Sequence, residues 1–160
     1  MDIRAIISPT VLDREALEEF ADALSDRAPE VERDVARLKK ASGDRELTAD
    51  LFRAIHNIKG DAALCKFELG IAIAHPIESM MSRFREGEIV FSDLLAELIL
   101  LAVDRLELAT DAVLSRKPLE NLRLVDLVQG LDQLSTTATD KIDARCAELI
   151  EAVTGFPPVI

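Results

Sequence analysis

Apolar residues recur three and four places apart along successive stretches of this chain, and that period selects helices over strands. Leu51, Ile55, Ile58, Ala62 and Cys65 form one such stripe, and Leu12, Ala16, Leu17, Phe20, Ala21 and Leu24 form another. Helix breakers are sparse, with six glycines and six prolines, and aromatic residues make up only 4%, with no Trp and no Tyr. Such a composition disfavours a sandwich or barrel and points to an all-α fold. At 160 residues the chain has ample length to bury one core. Short breaker clusters between the stripes imply an antiparallel bundle of helices.

Residues 1–9 read as an apolar lead-in. Thr10 and Asp13 fit a capping box that opens a first helix. Pro29 falls within it, so a kinked helix over residues 12–40 is expected, with two separate helices as the alternative. Ser42-Gly43-Asp44 makes the turn, and a second helix runs from about Glu46 to Cys65. Lys66 breaks the apolar run. The third helix, from about Phe67 to Glu86, ends at Gly87 and is apolar on two sides. Leu69, Ile73, Ile77, Met80 and Phe84 lie on one side, and Phe67, Ile71, Ala74 and Met81 on the other. Pro76 is expected to bend this helix without ending it. Ser92 caps a fourth helix reaching about Leu114, and Pro118 opens a fifth whose Leu119, Leu122, Val125 and Leu131 cover the end of the bundle. A sixth amphipathic stretch carries Ile142, Cys146, Leu149, Ile150 and Val153, and Gly155-Phe-Pro-Pro ends it like the beginning of a linker.

Charge and composition exclude several function classes. The net charge is −11, from 30 acidic and 19 basic residues. That is the wrong sign for a phosphate-backbone footprint, so nucleic acid is not expected as a partner. Cys65 and Cys146 are far apart, in neither metal-ligand nor redox spacing, and read as buried thiols of a reducing compartment. No basic-then-apolar signal segment opens the sequence. The most apolar run, Leu94–Val103, is interrupted by Glu97 and is far short of the ~20 residues a membrane helix needs. A cytoplasmic protein without membrane association is expected.

The chemistry concentrates in the segment Ala54–Ala63, which holds His56, one of only two histidines. On a helix Lys59 and Gly60 flank His56 on one face, with Phe52 one turn before and Ala63 two turns after. That face lies off the buried stripe. A glycine inside a helix costs roughly 0.5–1 kcal/mol relative to alanine, and open space beside an imidazole that another macromolecule must reach explains it. On the third helix, His75 and Glu78 border an apolar stripe, where a carboxylate needs a partner.

The segment Leu51-Phe-Arg-Ala-Ile-His-Asn-Ile-Lys-Gly-Asp-Ala-Ala, continued by Leu69-Gly-Ile-Ala-Ile-Ala-His75-Pro-Ile-Glu78 and by Arg83-Phe-Arg-Glu-Gly87-Glu, resembles the histidine phosphotransfer (HPt) domain. It is most similar to the N-terminal phosphotransfer domain of chemotaxis-type histidine kinases, over about Leu12–Leu134. Asp61, Lys66 and Pro76 depart from the family pattern. The resemblance implies a four-helix bundle core with additional N- and C-terminal helices, residues 1–134 forming the phosphotransfer bundle and 135–160 an extra helix and linker. It implies a phosphocarrier of a two-component phosphorelay, with His56 phosphorylated and Glu78 holding its other ring nitrogen. Lys59 would neutralise phosphoryl charge and His75 would join the network around Glu78. Phe52, Gly60 and Ala63 would meet the partner.

The implied partners are a response-regulator receiver domain and a histidine kinase ATP-binding domain, in cis or in trans. The chain has no glycine-rich phosphate loop, so it is not expected to be an enzyme with its own ATP site, nor to hold a resident cofactor. Mg²⁺ and the acceptor aspartate would come with the receiver. Two other readings compete. A metal site would draw on His56, His75 and Glu78, but bundle di-metal sites use four carboxylates and two Glu-x-x-His pairs. A non-phosphorylated interaction module would bind a kinase or receiver without carrying phosphate.

Overall fold

The computed structural model describes residues 13–158 together with Pro9. Among them are α1 (Arg14–Lys40), α2 (Arg45–Leu64), α3 (Glu68–Arg85), α4 (Asp93–Leu114), α5 (Leu124–Leu134) and α6 (Ile142–Thr154). Short 3₁₀ turns at Glu120–Leu122 and Thr139–Lys141 precede the last two. The fold is all-α. α1 to α4 form a bundle in which α1 packs on α2 and α4, and α2 packs on α3. α5 lies along α3, α6 lies along α4, and these two also pack on each other. The C-terminal pair thus covers one side of the bundle, and α1 and α2 keep the outward side.

Local chemistry explains the boundaries. Asp13 caps α1 by accepting from the Ala16 N–H at 3.1 Å, while Thr10, the other half of the expected capping box, lies outside the described residues. Asp44 caps α2, accepting from Glu46 N at 2.9 Å and Leu47 N at 3.1 Å. Ser92 Oγ accepts from Leu95 N at 3.1 Å and donates to Asp143 of α6 at 2.6 Å, joining a cap to a tertiary tie. At the far end of the same helix, the Arg14 guanidinium donates to the Leu114 carbonyl, which has no partner within its own helix.

α1 runs unbroken through Pro29 and α3 through Pro76. Each proline removes one backbone donor, and buried neighbours on both sides hold the helix together across the gap. In α3 those neighbours are Ile73, Ala74, Ile77 and Met80. Gly87, at φ 81°, closes α3 with a Schellman turn, its N–H on Phe84 O at 3.0 Å and the Glu88 N–H on Arg83 O at 2.9 Å. Lys66 makes the same turn after α2 at φ 58°, with Phe67 N on Ala62 O at 2.9 Å. A lysine there carries a left-handed penalty of about 1 kcal/mol that glycine would avoid, so this departure is a local cost that the completed turn tolerates.

α5 differs from expectation. Leu119 and Leu122 are only partly buried in and beside a 3₁₀ turn, Val125 is half-buried, and Arg123 in a left-handed conformation separates the turn from the helix. The buried face is Leu124, Leu127, Val128, Leu131 and Leu134, laid along α3 rather than across the end of the bundle. The sixth stretch buries all five expected residues and stops at Gly155, φ 82°. Arg83 binds α3 to the α5–α6 connection, donating to Thr137 O at 2.9 Å and to Glu88 at 3.1 Å. Cys146 is fully buried, and burial pushes its thiol up to about 12.

α2 and α3 approach closely at Gly70, where an added Cβ would stand 2.7 Å from Ala62 Cβ and 3.4 Å from Phe20. The Ala62 Cβ is fixed to its backbone and cannot rotate away, so the helices themselves would have to part. Gly70→Ala is therefore expected to lower stability by about 1–3 kcal/mol, read by urea unfolding with native-like helical circular dichroism. Unchanged or raised stability would show that α2 and α3 are not held at contact distance there.

Candidate functional site

α2 and α3 run side by side, and Glu78 of α3 faces the His56 turn of α2. Its carboxylate makes two contacts with α2, one per oxygen. Oε2 lies 2.6 Å from His56 Nδ1, and Oε1 accepts from Lys59 Nζ at 2.6 Å. The Glu78 side chain is 14% exposed and Lys59 25%, whereas His56 is 56% exposed. Burial pushes the Glu78 carboxyl up, but hydrogen bonds and charge from Lys59 and His56 outweigh it and hold the group below the usual carboxylate range. Glu78 is then ionised near neutrality and is an acceptor only. Nδ1 must carry the proton, which leaves the lone pair of the neutral imidazole on Nε2.

The remaining expected residues fall into place unevenly. Phe52 is half-buried, and its ring lies parallel to the imidazole at a centroid distance of 6.2 Å. Gly60 leaves open space, since an added Cβ would have nothing within 4 Å. Ala63 is exposed on the same side. His75 does not join the network. It is exposed, its ring makes no hydrogen bond among the described residues, and both Glu78 oxygens are taken by α2. The trio that a metal would need is accordingly not assembled, and no group of three or more His, Cys, Asp or Glu among the described residues is arranged to hold one.

Three features were not read from the sequence. Leu64, two turns from His56 at i+8, is 85% exposed. The spacing alone could have flagged it, because it falls on the His56 face and off the buried stripe. It borders an open groove of about 320 Å³ between α1 and α2, lined also by Ala16, Phe20 and Cys65. Arg85 places its guanidinium carbon 4.4 Å from the centre of the Phe52 ring. Asp61 pairs with Arg27 of α1 at 3.1 Å, so this departure from the family pattern ties α1 to the site helix.

The family model described as the Hpt domain matches residues 14–115, the whole of α1 to α4. The chain belongs to the Hpt domain family. α5 and α6 lie beyond the matched segment of this Hpt domain. Among curated proteins it is similar to the sensor histidine kinase CheAY of Helicobacter pylori, 24% identical over 91 residues. That match takes in 57% of this chain and 11% of the relative's length. Among solved structures it is similar to the phosphorylated P1 domain of CheA3 in complex with CheY6 from R. sphaeroides, at a TM-score of 0.63 and 21% identity. The superposition covers 84% of this chain and 99% of the other, and it supports the all-α bundle. No helix among the described residues is long and apolar enough to cross a membrane.

The lowered Glu78 value sets a pH window. A carboxyl held below its unfolded value near 4.5 adds stability that is fully present above that pH and is lost as pH falls through the folded value. The stability gap between the native protein and Glu78→Gln should therefore narrow below about pH 4.5. Denaturant midpoints measured across pH 3–7 check this, and a gap independent of pH would mean that the ionised carboxylate contributes nothing.

Proposed function

We propose that His56 is the phosphorylated residue of this Hpt domain and passes its phosphoryl group to or from the aspartate of a response-regulator receiver. The observation that carries the reading is the 2.6 Å contact between His56 Nδ1 and the ionised Glu78 on an otherwise exposed ring. Nε2 attacks the phosphorus of the donor, the new N–P bond forms, and the donor's bond to phosphorus breaks with its electron pair leaving on the donor oxygen. Positive charge that develops on the imidazole is balanced by Glu78. Lys59 spends one N–H on Glu78, and its ammonium retains two more donors for phosphoryl oxygens. Phosphoryl transfer needs little beyond such positioning and charge neutralisation.

The receiver would dock on the outward side of α2, over Gly60, Ala63 and the exposed Leu64, and reach the groove toward α1. Mg²⁺ and the acceptor aspartate would be the receiver's own. A histidine kinase ATP-binding domain, within the same polypeptide or separate, would supply phosphate in the other half of the cycle. The similarity to a P1 domain solved with CheY6 supports a receiver as partner. Residues 1–134 would make up the phosphotransfer unit in this reading, with α6 as an addition.

Two outcomes test it. His56→Gln should lose all acid-labile, base-stable labelling from a phosphorylated receiver while its helical circular dichroism stays intact, and full labelling of that variant would refute the assignment. Gly60→Gln fills the open space beside the imidazole and should slow transfer at least tenfold, an order of magnitude consistent with loss of a shape-matched contact. Neutralising Glu30 or Glu32 at the same ionic strength should change only the encounter rate, by less than about threefold. Normal transfer by Gly60→Gln together with loss in the Glu30 and Glu32 variants would place the docking surface elsewhere.

A further inference from the structure

One hydrogen bond fixes a point of a ring and not its plane. With Nδ1 held at Glu78, the imidazole can still rock about the line from Cβ to Nδ1, because the final torsion of a histidine is broad and shallow. Rocking sweeps Nε2, on the far side of the ring, away from the line along which phosphorus must approach. Two contacts beside the site oppose this motion. The Phe52 ring, one turn earlier on α2, lies within 8° of parallel to the imidazole, with 6.2 Å between centroids. This is within the range of offset-stacked pairs. The guanidinium of Arg85 on α3 stands 4.4 Å from the centre of the Phe52 ring, inside cation–π distance.

We infer that Phe52 and Arg85 are positioning residues, which hold the plane of the His56 imidazole so that Nε2 faces an incoming phosphoryl donor. The inference rests on His56 being the phosphorylated residue. α3 then contributes both restraints on the ring, Glu78 by a hydrogen bond and Arg85, two turns further on, through Phe52. Because the helices are antiparallel, the two restraints lie along one line of α2–α3 contact, and a slip in register would loosen both together. Neither residue touches the phosphoryl group.

The test separates ring orientation from docking by using phosphoramidate, a donor small enough to need no protein interface. In that reaction the Nε2 lone pair forms the N–P bond, the donor's own P–N bond breaks, and ammonia leaves with the electron pair of that bond. Phe52→Leu and Arg85→Gln should label roughly three- to tenfold more slowly than the native protein. Phe52→Tyr and Arg85→Lys, which keep the ring and the cation, should recover most of the rate. In ¹³C relaxation of the imidazole ring, the native protein should show a high order parameter and Phe52→Leu a lower one, while the Nδ1–H tautomer set by Glu78 persists in both.

Native rates in Phe52→Leu and Arg85→Gln with unchanged ring order parameters would overturn the positioning role. So would a loss confined to transfer from the receiver with phosphoramidate labelling intact, which would make Phe52 a docking residue. If the native protein does not label, or His56→Gln labels equally well, the assignment of His56 fails and the positioning role fails with it. Equal helical circular dichroism of the variants keeps unfolding out of the comparison.

Discussion

A single carboxylate, partly withdrawn from water and clasped by two donors of the neighbouring helix, sets the terms for the rest of the site. Glu78 would be an expensive residue on the inner edge of α3 without His56 and Lys59, since a desolvated charge lacking partners destabilises strongly. With them it is held ionised, and an ionised carboxylate leaves the imidazole one tautomer. That contact also requires α2 and α3 to keep a fixed distance and register. The close approach at Gly70 and Ala62 sets the distance at one end, and Arg85 over Phe52 marks the other. Fold and chemistry therefore share the same helix pair.

Much of this was legible in the residues. Ser92, Gly87 and Gly155 ended or began helices where cap chemistry places them, because a hydroxyl at an N-cap and a glycine in the left-handed region act locally and need no tertiary information. The stripe Leu51, Ile55, Ile58 and Ala62 is buried as its period implies, with Cys65 partly buried. That Glu78 needs a partner could be read from a carboxylate on an apolar face, and the family resemblance named His56 as that partner. What escaped reading depended on contacts between distant segments. Arg123 carries no sequence sign of a left-handed backbone, so the buried face of α5 was misplaced by a fraction of a turn onto Leu119, Leu122 and Val125. His75 satisfied the spacing of a network member, but three residues of helix say nothing about which way a carboxylate turns. Arg85 was missed because an aromatic partner on another helix leaves no trace in local spacing.

The three departures from the family pattern have separate physical accounts. Asp61 finds a cation on α1, Lys66 accepts a strained backbone in a turn that is otherwise complete, and Pro76 is bridged by buried neighbours. None of them touches Glu78 or the His56 ring. Tolerance at these positions follows from where the strain falls, at the end of α2 and on the core side of α3, away from the charged contacts.

The placement of α5 and α6 has a kinetic consequence. They cover the α3–α4 side and leave the exposed His56 ring on the outward side of α2, where one macromolecule at a time can face it. With His56 as the proposed phosphorylated residue, a carrier built this way would work by alternation. Donor and acceptor would then compete for the same approach, an excess of either would slow net flux, and turnover would follow double-displacement kinetics with the phosphorylated domain as the free intermediate.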